Sequence, residues 1–199
     1  MELPDRVPRL TARTGLTLRP WQLAGPDLEL VRQAAQDDYI PAITTVPRPY
    51  TDAEGEEFVR RQWQRTARGG GYPFVIVAPE GRPIGSVGLW LKDPGQECAS
   101  LGYWLAASGR GRGAASAALE AAADWALHGL GIARLELHVE PWNTASLRTA
   151  QRAGFRREAL LRRWRQVAGE RRDMVLYALH NSGPCPPAQQ APSGGPARG

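Results

Sequence analysis

Two cysteines, three histidines and a single lysine are all that this 199-residue chain has of those types, and each scarcity removes a class of explanation. Cys98 and Cys185 are too few for a disulfide framework, and neither belongs to a Cys/His spacing of the kind that holds zinc. No metal is expected, and the two thiols read as inert. No apolar run approaches the roughly 20 residues that cross a bilayer. The opening stretch, residues 1–15, has no apolar core of a secretory signal. A cytoplasmic protein without membrane contact is expected.

Lys92 is the sole lysine, so 24 of the 25 basic residues are arginine. A biased base composition of the gene produces that skew, which weakens the net charge of +5 as an argument for nucleic-acid binding. The densest stretch, Arg148 to Arg172, interleaves nine arginines with Glu158, Glu170 and apolar residues. It reads as a solvated face, with a rim that attracts a polyanionic ligand as the alternative.

With 42% hydrophobic and 23% charged residues the composition is globular, and the length suits one well-buried core rather than two. The expected organisation is a leader at 1–14, one domain at 15–180 and a Pro/Gly-rich flexible tail at 181–199. That tail has no branched aliphatic or aromatic residue to bury.

The chain is organised around Arg110, Gly111, Arg112, Gly113, Ala114 and Ala115, followed by an alanine-rich run to Leu130. Glycines before a helix let the backbone fold closely around an anion. The first-turn N–H groups lack partners, and the helix dipole adds partial positive charge there. Such a loop suits a phosphate or diphosphate, although any glycine turn entering a helix looks alike.

Taken in order, residues 15–21 alternate as a first strand and break at Pro20. A helix capped by Asp27 follows, with Leu28, Val31 and Ala35 at helical spacing. Residues 39–50 carry Pro41, Pro47 and Pro49 and read as a loop of the kind that lines substrate sites. Thr51 to Glu54 is a capping box, opening a helix to about Arg65 with Phe58, Val59 and Trp63 as candidate buried residues. From Tyr72 the period changes to that of strands: a meander over 74–78, 84–91 and 98–105, with turns at 79–83 and 92–95. The glycine loop and its helix lead to a strictly alternating strand at 133–140, and strand, helix, strand is a crossover that sets two strands parallel. Asn143 caps a short helix ending at Gly154, and a hairpin turning near Ala168-Gly169 closes the chain.

Leu101-Gly102-Tyr103-Trp104-Leu105, Arg110-x-x-Gly113-x-Ala115, Glu140-Pro141-Trp142-Asn143-x-x-Ser146, Ala153-Gly154-Phe155 with Glu158, and Asp173 occur in an order that resembles the GNAT acyl-CoA N-acyltransferases. The branch of the ribosomal-protein N-terminal (alanine) acetyltransferases is the most similar. The resemblance covers about Leu16 to Leu179. It implies an α/β (α+β) fold, in which a mixed, mostly antiparallel sheet is splayed between two parallel central strands and flanked by helices. Acetyl-CoA as co-substrate would lie in that V. Backbone N–H groups of Arg110 to Ala115 would hold the diphosphate, and Trp104, Leu105 and Asn143 would meet the pantetheine arm. Ser146 would protonate the departing thiolate. Homodimerisation is a further family expectation. Local chemistry leaves a second reading open for Asn143 as a helix cap and for Ser146 as an exposed first-turn serine.

An amine attacks a thioester only when neutral. An α-amine with pKa about 7.7 to 8.0 is roughly a tenth neutral at pH 7, and lysine, near 10.4, about 0.04%. Deprotonation costs roughly 1 kcal/mol for the first and about 4.6 for the second. An α-amine acceptor on a peptide or protein, or a small amine of similar acidity, is therefore favoured. Two carboxylates common in the family fall at Ser100 and Ala117 here. The remaining candidates for the general base are Glu97, Glu136, His138 and Glu140, with Glu140 or His138 preferred, the last three on the polar face of strand 133–140. A backbone N–H near Trp104 or Leu105 is expected to stabilise the oxyanion.

The expected activity is direct transfer of an acetyl group from acetyl-CoA to a primary amine. One alternative keeps the fold and uses succinyl-CoA, with Arg148 or Arg152 gripping its carboxylate. The other is a non-catalytic module binding CoA or nucleic acid, which the scattered tryptophans disfavour.

Overall fold

The computed structural model describes residues 4–91 and 97–181. The turn expected at 92–95, Cys185 and the tail beyond Asn181 lie outside the described residues. Eight strands form one sheet in the order β1-β2-β3-β4-β5-β6-β8-β7. They are β1 (Leu10–Thr11), β2 (Thr17–Pro20), β3 (Gly71–Val77), β4 (Pro83–Leu91), β5 (Cys98–Leu105), β6 (Arg134–Val139), β7 (Arg156–Val167) and β8 (Glu170–His180). Every neighbouring pair is antiparallel except β5 and β6, which run parallel as the crossover requires.

β3 is buried along its whole length, because helices cover both faces of the sheet. Its alternate residues divide between two cores. Phe74 and Ile76 join Leu89, Leu101, Leu135 and the apolar face of α4 (Ala114–Asp124). Val75 and Val77 join Trp21, Val31, Phe58 and Trp104 under α1 (Gly25–Ala35) and α3 (Asp52–Ala67). The alanines of α4 permit a close approach to the sheet. That helix then widens into a π-helical turn, Trp125–Gly129, whose Trp125 ring meets Tyr72 and Phe74 edge-on at 4.9 and 5.7 Å.

Several local expectations change. Asp27 does not cap α1, whose cap residue is Ala24. Its fully buried carboxylate instead takes both arms of the Arg19 guanidinium, at 2.8 and 2.6 Å, and the Gln22 N–H at 2.8 Å. A neighbouring strand offered it a charged partner stronger than a helix end. Leu28 is only partly buried at the edge of that core, while Leu30 is 1% exposed. The proline-rich segment contains one helical turn, α2 (Ile40–Ile43), with Pro41 within the first two positions, where no N–H is needed. Thr51 does cap α3, accepting the Glu54 N–H at 3.2 Å. Trp63 is 43% exposed rather than core, its indole N–H donating to the Trp21 carbonyl at 2.8 Å. In the segment expected as a leader, β1 pairs with β2, and Pro4 accepts the Tyr72 hydroxyl at 2.9 Å. The closing hairpin is longer than expected, turning at Ala168 and Gly169, both at positive φ.

Candidate active site

β5 and β6 pair only through Cys98–Arg134, Ala99–Leu135 and Ser100–Glu136. Beyond them β5 continues against β4 as far as Leu105, and β6 continues against β8 as far as Val139. The sheet therefore opens along residues 101–105 of one strand and 137–139 of the other. Among the described residues no β5–β6 pairing continues past Ser100–Glu136, an opening that suits an extended amide-bearing ligand arm. The gap lies within a cleft of about 1360 Å³ that runs from α3 to α5 (Thr144–Arg152).

At one end of the cleft stands the glycine loop. Gly111 and Gly113 have φ of 81° and 73°, in the left-handed region that glycine adopts without strain, and Gly113 is the cap residue of α4. A Cβ at Gly111 would meet nothing within 4 Å, so the space in front of the loop is open. The first-turn N–H groups of α4 face this opening without intrahelical acceptors. Of the N–H groups expected to hold the diphosphate, that of Arg110 is already bonded to the Ala107 carbonyl at 3.3 Å. The Arg110 side chain braces the loop: Nε donates to the Leu105 carbonyl at 3.1 Å, and Nη2 pairs with Asp37 at 2.5 Å. Burial works against the Asp37 carboxylate, but hydrogen bonds from Arg110 and from the N–H groups of Ile40 and Tyr39 outweigh it and hold its pKa below the ordinary value.

Gly111, Gly113, Ala114 and Ala115 line the cleft, as do Trp104 and Leu105, which are 8% and 9% exposed. Arg112 is exposed and lines a separate cavity of about 190 Å³ beside Arg82 and Ser108. Asn143 and Ser146 both reach the cleft at the start of α5, where the Asn143 Oδ1 accepts the Ser146 N–H at 3.0 Å. Asn143 is thus a helix cap, with its side chain also touching the Tyr39 phenol.

Of the four candidate bases, Glu97 is exposed and Glu136 is engaged by Arg134 at 3.0 Å. His138 lines the cleft and stacks on Trp164, with ring centroids 6.2 Å apart and 9° between planes. Glu140 is only 4% exposed, where Glu136 and His138 are half-buried. It lies one residue past the end of β6, where strict alternation lapses, and turns inward to accept the Tyr39 hydroxyl at 2.5 Å. Burial and the bond to Glu140 push the Tyr39 phenol well above its usual pKa, so it stays protonated. Its ring meets Trp142 edge-on at 4.9 Å. Tyr39 had no signal of its own in the sequence beyond its place in a site-lining loop. At the two positions where the family commonly has glutamates, Ser100 lines the cleft and Ala117 is buried in the core.

Among the described residues, no group of three or more His, Cys, Asp or Glu side chains is arranged to hold a metal, and no helix is long and apolar enough to cross a membrane.

Comparison with known proteins agrees with the geometry. The acetyltransferase (GNAT) domain family matches residues 15–156. An uncharacterised N-acetyltransferase, p20, of Bacillus licheniformis is 28% identical over 166 residues, covering 82% of this chain and 92% of the relative. Mycobacterium smegmatis RimJ, solved in complex with CoA-disulfide, superposes with a TM-score of 0.72 at 28% identity, covering 89% and 88% of the two chains. The ribosomal-protein-S5-alanine acetyltransferase of Vibrio fischeri shares the fold, with a TM-score of 0.72 at 17% identity over 94% and 98%. With the opened sheet, the glycine cradle and a match over residues 15–156, the chain belongs to the GNAT family of N-acetyltransferases.

Proposed function

We propose that the protein transfers an acetyl group from acetyl-CoA directly to a primary amine in a ternary complex, with an α-amine of a peptide or protein, or a small amine of similar acidity, as acceptor. The observation that carries this reading is the three-residue contact between β5 and β6 followed by a gap that ends at the glycine cradle. In this reading N–H groups of Gly111 to Ala115 take the diphosphate, and the edges facing the gap beside Trp104 and Leu105 take the pantetheine arm. RimJ, solved with CoA-disulfide, has the same overall fold.

Glu140 is the general base, with His138 the second candidate. Glu140 removes a proton from the ammonium, the freed nitrogen pair forms the new C–N bond at the thioester carbonyl, and the C–S bond breaks. Ser146 gives its hydroxyl proton to the sulfur, whose thiol pKa near 8.5 requires only a modest donor, and regains one from the second proton that the nitrogen sheds as the tetrahedral intermediate collapses to the amide. Tyr39 is a positioning residue that fixes the Glu140 carboxylate. No carboxylate partner exists for Arg148 or Arg152 among the described residues, and both line the cleft. That observation sustains succinyl-CoA as a second donor. The family's habit of dimerisation and a cytoplasmic location complete the proposal.

A thiol-release screen of acetyl-CoA and succinyl-CoA against peptides with varied first residues and small amines tests it. Release with acetyl-CoA and an α-amine is the expected result. Release only with succinyl-CoA would move the reading to the second donor, and none with any pair would end it.

A further inference from the structure

α3 directs Arg65 into the end of the cleft remote from the glycine cradle. The guanidinium carbon lies 5.0 Å from the centroid of the Trp90 ring. Nη1 donates to Gln62 Oε1 at 3.0 Å and Nη2 to Thr45 Oγ1 at 3.3 Å. Gln62 is 3% exposed and its own amide N–H is bound to the Phe58 carbonyl at 2.9 Å, which fixes its oxygen toward Arg65. Glycines make room for the indole: a Cβ at Gly88 would lie 2.2 Å from Cζ2 of Trp90, and one at Gly102 would lie 3.5 Å from its Nε1. The floor of this corner is thus bare backbone with one aromatic ring laid on it.

Everything that holds Arg65 is neutral. Two of the five N–H donors of a guanidinium are used, and no carboxylate among the described residues pairs with it. Arg110, at the other end of the cleft, has Asp37. Burial, followed by the charge of Arg61 one turn away, lowers the pKa of Arg65, as expected of a cation without a counter-ion. A fixed, half-buried arginine with an open donor edge is a carboxylate receptor.

Its place along the sheet says which substrate would bring that carboxylate. Trp90 pairs with Ser100, and Ser100 with Glu136, at the closed root of the gap. Leu105, whose carbonyl accepts from Arg110 beside the cradle, lies about 16 Å away along β5, at roughly 3.3 Å per residue. A thioester anchored by its diphosphate at the cradle points toward this root, and an acetyl group carries no carboxylate, so with acetyl-CoA as donor a carboxylate beyond it belongs to the acceptor. We propose that Arg65 recognises a carboxylate on the acceptor amine, so that the substrate of this site is an acidic amine: a peptide with an acidic side chain near its free α-amine, or an amino acid with a free α-carboxylate. This inference rests on the acyl transfer proposed above.

The test uses two matched pairs, Ala-Asp-amide with Ala-Asn-amide and alanine with alaninamide, titrated calorimetrically into the CoA-saturated protein and, separately, into its Arg65→Met variant. In at least one pair the acid should bind about tenfold more tightly than its amide, and the ratio should fall to near one in the variant. The pair that responds tells a side-chain from an α-carboxylate source. Equal binding within both pairs, or a preference that survives Arg65→Met, overturns the inference. Arg65→Lys, which keeps the charge, should retain part of the preference and shows that the loss is not one of folding. Thiol release on the same peptides keeps the two failures apart. Turnover without acid preference sinks the role of Arg65 alone. No turnover on any peptide sinks the acyl transfer, while the binding ratio still decides Arg65.

Discussion

Tyr39 and Glu140, 101 residues apart, meet through a 2.5 Å hydrogen bond in which the phenol donates to Oε2 of the carboxylate. Two residues earlier, Asp37 holds Arg110 at the entrance to the glycine cradle. One short segment after α1 is therefore tied both to the loop that would hold the diphosphate and to the carboxylate that would take the proton. The site is assembled by tertiary contacts between its halves.

Glu140→Gln should lower kcat about 100-fold, within the range that general-base catalysis supplies. The loss should shrink as pH rises toward the amine pKa, because the acceptor then deprotonates without help. Tyr39→Phe should cost less, about tenfold, and shift the pH profile of kcat/KM while leaving KM for acetyl-CoA nearly constant. Steady-state kinetics from pH 6 to 10 checks both.

Gly113→Glu should weaken acetyl-CoA binding at least about tenfold by placing charge at the cradle, and its left-handed φ of 73° adds strain for any residue with a Cβ. Gly113→Asn, which tolerates that φ and is neutral, should retain more of the affinity. Calorimetric titration separates charge from strain.

Ser146→Ala should depress kcat by about 10- to 100-fold with little change in acetyl-CoA affinity, since the cap of α5 uses the Ser146 N–H and not its hydroxyl. Equal turnover by the variant would remove the proton-donor role.

Glu158 ties β7 to β6 and β8. Hydrogen bonds first from Arg134, at 2.5 Å, and then from His180, at 3.1 Å, lower its pKa from 4.5 to about 2. A carboxylate with a depressed folded-state pKa contributes stability above pH 4.5 and loses it as pH falls toward 2. The difference in melting temperature between wild type and Glu158→Gln should be present at neutral pH and vanish across that window.

Asp27→Ala strips the half-buried Arg19 guanidinium of its charged partner and leaves the Gln22 N–H unbonded. Breaking a buried pair in this way should cost roughly 3 to 5 kcal/mol, read as a shift of the urea midpoint.

Repeating local patterns made much of the fold legible. The alternation at Leu135, Leu137 and Val139 marked the central strand, and the glycines before the alanine-rich run marked the cradle. The opening of the sheet followed from the family resemblance, since no periodicity encodes where two strands part. Asp27 read as a cap because helix signals are local, and its partner Arg19 sits on another element. Glu140 read as a polar strand residue, but the strand ends one residue before it. Arg65 marked only the approximate end of a helix. Gln62, Trp90 and the glycines beneath that ring become neighbours only when α3 lies on the sheet.

Amide hydrogen exchange with and without acetyl-CoA shows whether a ligand fills the opened sheet. Strong new protection is expected at Gly111 to Ser116 and at the edge of β5 facing the gap, Leu101 to Leu105, with β7 and β8 unchanged. Protection absent from both segments, or confined to the arginine-rich β7, would contradict acetyl-CoA binding there.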